Sequence, residues 1–382
     1  MSPLALIAAA AVAVNLELSD RSELRIRDMG DAVGTTIDVE TAPAGTLTIR
    51  ARGFEIALDA SPRLTLRELD LTPRPSAFLR GGLRVVRRTP RATIEVLGDA
   101  SYGTEIYGAQ SYGALADARS ATIQRIPATS AINYLGGRGV LGLRYSMTRR
   151  LALGARFSYL WSGGADDASR ASVPFQWGPD LTLDAGLALT RTDRLETTLD
   201  LSRARFYSGP QSNQLSLGER LRHALSRTTD LTIGGGAAAS LSRIGVDEPL
   251  KFRVFPLAEA AIAHRDPSDR LTVRIEIGLL PVTDRLSGKV DERVQAAGSL
   301  GLRLHPRAEI LAGIGTSRSL AYDDGGVALL SGQVALAIRA TSRIRVELGT
   351  RSAWQWQQGT TGPLPMWAAY TSATCALPSI RF

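Results

Sequence analysis

Over most of this chain, apolar and polar residues alternate one by one, the period expected of a strand whose two faces meet different surroundings. The clearest stretch sets Leu271, Val273, Ile275, Ile277 and Leu279 against Thr272, Arg274, Glu276 and Gly278. The pattern recurs where Leu151, Leu153, Ala155, Phe157, Tyr159 and Trp161 oppose Ala152, Gly154, Arg156 and Ser158, and where Leu181, Leu183, Ala185, Leu187 and Leu189 oppose Thr182, Asp184 and Gly186. Val294, Ala296, Gly298, Leu300 and Leu302 stand against Arg293, Gln295, Ser299 and Arg303, and Ile344, Val346 and Leu348 against Arg345 and Glu347. Helical periodicity is nowhere sustained, so the chain reads as a series of long amphipathic strands.

The connections between strands are of two kinds that alternate. Short ones, rich in the turn formers Thr, Ser, Pro, Asp and Arg, sit near positions 89, 149, 192, 228, 267, 306 and 342. Longer ones include Gly103 to Ser130, Gly163 to Trp177, Gly245 to Pro249, Thr283 to Asp291 and Gln357 to Pro365. After the first interval the short turns are 36 to 43 residues apart, room for two strands of about a dozen residues, one turn and one loop. A membrane-crossing strand needs only about 9 to 11 residues. The predicted fold is all-β, a transmembrane antiparallel up-and-down β-barrel of 16 to 18 strands, with 18 favoured.

Counting back from the C-terminus gives fifteen strands from residue 79 to 382, with two more around Phe54 to Asp70 and Gly45 to Arg50. Even closure requires another, supplied by Thr35 to Glu40 or, as second choice, Glu23 to Arg27. Pro62, Pro73 and Pro75 interrupt this first region. Three parts are expected: a signal peptide over 1–14, a short N-terminal periplasmic arm over 15–33 and the barrel over 34–382. The signal reading rests on Leu4 to Ile7 followed by alanines and valines, with Ala11 to Ala13 as a small-residue cleavage site and no basic residue before the apolar run.

Composition narrows the alternatives. Hydrophobic residues make up 44% of the chain and the mean hydropathy is −0.02, too apolar for a disordered polymer, yet no apolar run of about 20 residues offers a spanning helix. The net charge of +8 is carried almost entirely by arginine, Lys251 and Lys289 being the only lysines. Arginines and carboxylates interleave along the whole chain, which argues against nucleic acid as a partner. The preference for Arg over Lys has two readings, genomic base composition or contact with lipopolysaccharide phosphates. The single Cys375 excludes an intramolecular disulfide, and His223, His264 and His305 lack metal-ligand spacing. No catalytic residue, cofactor or metal ligand is assigned.

This alternation of short turns and long loops resembles the outer-membrane β-barrels of Gram-negative bacteria. The resemblance is architectural and extends to the C-terminus, where Phe382 and Ile380 look like the signal read by the barrel-assembly machinery; Pro378 departs from it by removing a ladder donor. It implies short turns and both termini on the periplasmic side, an outer-membrane location, and outer-membrane lipid and lipopolysaccharide as surroundings. Lumen-facing charges are expected at Arg144, Arg156, Asp184, Glu196, Asp200, Arg274, Glu276, Arg293, Arg303, Arg345 and Glu347. Interfacial aromatics are expected at Tyr159, Trp161, Phe206, Tyr207, Trp354, Trp356 and Trp367. The lumen is then either water-filled or obstructed by Gly103 to Ser130. The functional expectation is a passive or weakly selective pore or a structural barrel. Its alternatives are a barrel-embedded hydrolase, for example with His223 and a serine, and an export or assembly barrel working with periplasmic partners. Oligomeric state is left open.

Overall fold

The computed structural model describes residues 13–28, 35–69, 72–106, 122–123, 131–243, 248–284, 289–320, 327–357 and 362–381. The signal-peptide expectation falls on 1–12, apart from its last two residues, and so lies outside the described residues, as does Phe382.

Eighteen antiparallel strands follow one another around a closed wall. They are β1 (Ala13–Asp28), β2 (Thr35–Ala51), β3 (Phe54–Ala60 continued by Arg63–Leu69), β4 (Thr72–Arg88), β5 (Ala92–Ile106), β6 (Ala131–Ser146), β7 (Leu151–Gly164), β8 (Gln176–Ala188) and β9 (Asp193–Phe206). The second half comprises β10 (Gln211–Ala224), β11 (Thr229–Arg243), β12 (Lys251–Arg265), β13 (Leu271–Asp284), β14 (Val290–His305), β15 (Ala308–Ser319), β16 (Val327–Arg339), β17 (Ile344–Gln357) and β18 (Leu364–Ala376, continued by Ile380–Arg381). Closure comes from β1, which pairs with β18 from Ser19 opposite Ala376 to Asp28 opposite Trp367. No edge is left along that seam, as hydrocarbon requires.

The total of 18 agrees with the sequence reading, but the first strands divide differently. Residues 15–33 were expected as a periplasmic arm; instead Ala13–Asp28 is the closing strand, bonded to β2 on one side and β18 on the other. The segments Thr35 to Glu40 and Gly45 to Arg50 are two halves of one strand, β2. The interruption of β3 falls at Ser61 and Pro62, where proline has no N–H to give. Pro378 acts likewise between the two pieces of β18, and Ile380 and Arg381 resume pairing opposite Leu16 and Asn15.

The tight turns lie at the same end of the barrel as both described termini. Threonine hydroxyls hold several of them by accepting a backbone N–H: Thr89 from Ala92 at 2.9 Å, Thr148 from Leu151 at 2.9 Å, Thr190 from Asp193 at 2.9 Å and Thr341 from Ile344 at 3.0 Å. At the opposite end, the connection between β7 and β8 carries a six-residue helix, α1 (Asp167–Ser172). Asp166 caps it, its carboxylate accepting from the Ser169 N–H at 2.7 Å, and that bond holds the Asp166 carboxyl below its ordinary range.

The apolar set on each strand points outward. Leu141, Ile275, Ile277 and Leu348 are all more than half exposed on the outside of the wall, while their sequence neighbours face the interior. A belt of aliphatic side chains around a closed sheet has lipid as its solvent, and the protein is accordingly an integral barrel of the Gram-negative outer membrane.

One seam is incomplete. β12 and β13 pair only between Ala258 opposite Leu279 and Arg265 opposite Thr272, so among the described residues Lys251 to Leu257 have ladder partners on β11 alone. Above Leu279 the hairpin formed by β13 and β14 leaves the wall and turns into the lumen. Thr283 there accepts a 2.7 Å hydrogen bond from Gln214 on the inner face of β10, and Val282, Thr283 and Val290 are almost wholly buried. Thr283 and Asp284 also pair in parallel with the two-residue strand Thr122–Ile123.

Candidate functional site

The inner wall of the barrel is built from the polar half of each alternating strand. Every lumen charge expected from the sequence lies on the strand face opposite the outward aliphatics, and the fold gathers them into separate groups.

The largest group lines a trough of about 500 Å³ on the inner face of β9 to β14. Glu196, Asp200, Arg274 and Glu276 line it together with Thr198, Ser216, Arg220, Thr232 and Glu259. Arg220 grips Glu259 through two of its nitrogens, one contact being 2.8 Å, and lies 4.0 Å from Glu196. Arg194 reaches Glu196 at 3.1 Å and Arg274 reaches Glu276 at 2.7 Å. Asp200 accepts from the hydroxyls of Thr182 at 2.7 Å and Ser216 at 3.4 Å. Two glycines make room for these acids. A Cβ on Gly234 would come within 2.7 Å of Glu259, and one on Gly154 would overlap the carboxylate of Asp184. Arg144, Gly154 and Asp184 lie in one row across β6, β7 and β8.

Near the turn end, Arg345 bonds Glu309 at 2.9 Å and approaches Glu347 at 3.8 Å, while the Tyr370 hydroxyl donates to Glu347 at 2.6 Å. Arg303 lines a recess beside Arg345 and Glu309. Arg293, 2% exposed, donates to the Ser317 hydroxyl at 3.0 Å.

A further group was not singled out in the sequence. Glu23, Arg25 and Arg27 on β1, Asp38 and Glu40 on β2 and Arg67 on β3 form a cluster beside the closing seam. Arg25 contacts Glu23 at 2.6 Å, Glu40 at 3.6 Å and Asp38 at 3.9 Å. Asp38, fully buried, also meets Arg27 at 2.6 Å and Arg67 at 3.3 Å. The Arg27 contact is an ion pair by distance without hydrogen-bond alignment. The signal was present: Leu24 and Ile26 alternate with these charges on β1, and Ile37 and Val39 do so on β2.

Of the expected aromatics, Tyr159, Trp161, Trp354, Trp356 and Trp367 lie on outward faces near the loop end of their strands. Tyr207, 61% exposed, sits in the connection after β9 with the Arg170 guanidinium 4.6 Å from its ring centre. Phe206 is the correction. It is 3% exposed and shares the inward face of β9 with Asp200 and Ser202, its parity being opposite to that of the outward Leu199 and Leu201.

Ile380 is exposed and Cys375 is an exposed free thiol. His223 bonds Asp193 at 2.5 Å on the outward face at the turn end, away from the trough, and His264 bonds the Thr229 hydroxyl at 2.9 Å. Among the described residues no group of three or more His, Cys, Asp or Glu side chains is placed to hold a metal ion.

Comparison with known proteins adds a family to this geometry. A sequence profile described as the EpsX exopolysaccharide export family matches residues 6–377. No curated protein matches the sequence closely enough to count as a relative. Solved structures share the fold. The FrpB iron transporter (F5-1 variant) from Neisseria meningitidis aligns with a TM-score of 0.54 at 8% identity, over 90% of this chain and 63% of that one. OccAB4 from Acinetobacter baumannii aligns at 0.53 and 10% identity, over 97% and 98%. OpdO from Pseudomonas aeruginosa aligns at 0.51 and 13% identity, over 96% and 98%. At these identities the likeness is one of barrel architecture.

Proposed function

Because the chain belongs to the EpsX exopolysaccharide export family, we propose that its barrel is the outer-membrane conduit through which a polysaccharide chain leaves the cell. The observation that carries this reading is the trough on β9 to β14. Hydroxyls of Thr198, Ser216 and Thr232 stand there among carboxylates and guanidiniums already paired with one another. Such a surface offers a sugar chain many exchangeable hydrogen bonds. Its interleaved charges leave no run of one sign on which a polymer would stall, and conduction requires weak binding at many sites.

Selectivity in this reading comes from bore and wall polarity, and the inward-turned part of the β13–β14 hairpin around Val282, Thr283 and Val290 narrows the path on the loop side. Polymer is delivered from the periplasm, where the strands are joined by tight turns. The alternative of a passive small-solute pore shares this wall and differs in cargo. Deleting the gene and measuring polymer in surface and periplasmic fractions separates the two. Loss of surface polymer with periplasmic retention, reversed by complementation, is expected; unchanged surface polymer would refute export.

A further inference from the structure

Outside the lumen, the lipid-facing wall carries a site that the export reading does not use. On the outward face of β9 to β12, near the ends that bear the longer loops, the register aligns residues in rows. Arg205, Gln211 and Arg243 form the first row, and Arg203, Asn213, Leu241 and Phe252 the second. The third is Leu201, Leu215, Ala239 and Val254. Beneath the arginines lies an open groove of about 500 Å³, almost entirely apolar, with Pro179, Leu181, Leu201, Leu215, Ala239 and Phe252 among its walls and floor. Ala239 makes the hollow, being the small residue in a row of larger aliphatics.

The charges above the groove differ from those inside the barrel. Inside the barrel Arg194, Arg220, Arg274 and Arg345 are paired with carboxylates, whereas no acid stands in these three rows, and Glu219 lies further down the wall. Arg203 and Arg205 are exposed and form no ion pair among the described residues. The Nε of Arg243 is buried without a hydrogen-bond partner among them. Guanidiniums two residues apart on one strand, with a third across the intervening strand, present donor forks at the height where lipid headgroups begin. A fork of this kind matches phosphate oxygens in pairs.

We propose that this surface binds a phosphorylated, multiply acylated lipid of the outer leaflet, of lipid A type. The phosphate meets Arg203, Arg205 and Arg243, and one acyl chain lies in the groove over Ala239. The charge complementarity and the position in the outer half of the wall select this lipid over a periplasmic-leaflet phospholipid. The site lies on the wall beside the incomplete β12–β13 seam, since Phe252 and Val254 belong to the part of β12 that β13 has left. A bound lipid there covers an otherwise thin stretch of wall.

The test is binding of purified, folded protein in detergent micelles to fluorescent lipid A, with phosphatidylglycerol as the competing anionic lipid. Lipid A is expected to bind about tenfold more tightly than phosphatidylglycerol, and R203A/R205A to lose about tenfold of that affinity. Ala239→Phe, which fills the groove and keeps the arginines, is expected to lose lipid A affinity as well. R149A/R150A, at the turn end of the barrel, is expected to bind as the wild type does. Heat-modifiable gel migration verifies folding of each variant. Equal affinity for the two lipids, or undiminished binding by R203A/R205A, would overturn the proposal.

Discussion

At the scale of single residues, the most consequential side chain is Asp38. It is fully buried and in contact with three arginines, two on β1 and one on β3, and so ties the first three strands together. Removing one partner of a buried ion pair leaves the others uncompensated, at a cost of about 3–5 kcal/mol. Asp38→Ala should therefore lower the temperature at which the barrel shifts from compact to unfolded migration on a gel. Asp38→Asn, of the same shape without the charge, should act in the same direction, and an unchanged transition for both would show that the cluster does not secure these three strands. Side-chain direction was the most legible property at this scale: the eleven lumen charges followed from strand parity alone, since Leu, Ile and Val mark the lipid side. Parity also explains the exception, because Phe206 has the parity of the inward Asp200 and Ser202, whereas Trp354 and Trp356 share the parity of the outward Leu348. The partners of each lumen charge were not legible, since Arg220 finds Glu259 from 39 residues away.

The elements follow from alternation where the outward residues are uniformly apolar, and they blur where that uniformity fails. On β1 the outward row includes Asp20 and Ser22 between Leu18 and Leu24. Asp20 is stabilised there by a 3.0 Å bond from the Thr41 hydroxyl. On β2 the run Ala42, Pro43, Ala44 dilutes the same signal. The pattern therefore points to an arm where β1 lies and to two pieces where β2 lies. The inward turn of the β13–β14 hairpin has no local signature, because it depends on Gln214 meeting Thr283 across 69 residues of sequence. Its consequence is measurable. The backbone N–H groups of Lys251 to Leu257 that point toward β13 lack ladder partners among the described residues, while β13 covers Ala258 to Arg265. Amide hydrogen exchange should be faster in the first segment than in the second. Uniform protection along β12 would mean that the seam is closed.

For the whole molecule, the barrel separates two solvents along one wall, and the account of function rests on that separation. Successive residues of β10 show it: Ser216 lines the inner trough, and Leu217 is 53% exposed on the lipid side. Residue patterns in the sequence establish this division and the barrel class, while their total of 18 strands leaves β1 out and counts β2 twice; the cargo comes from family membership and the chemistry of the trough, neither of which alternation encodes. The direct measurement is site-specific photo-crosslinking in cells that are secreting polymer, with a photoreactive amino acid placed at Ser216 or at Leu217. Polysaccharide adducts from position 216 and none from position 217 are predicted. Absence of adducts at position 216 in a folded, correctly inserted barrel, or equal adducts at both positions, would contradict passage of the polymer through this lumen.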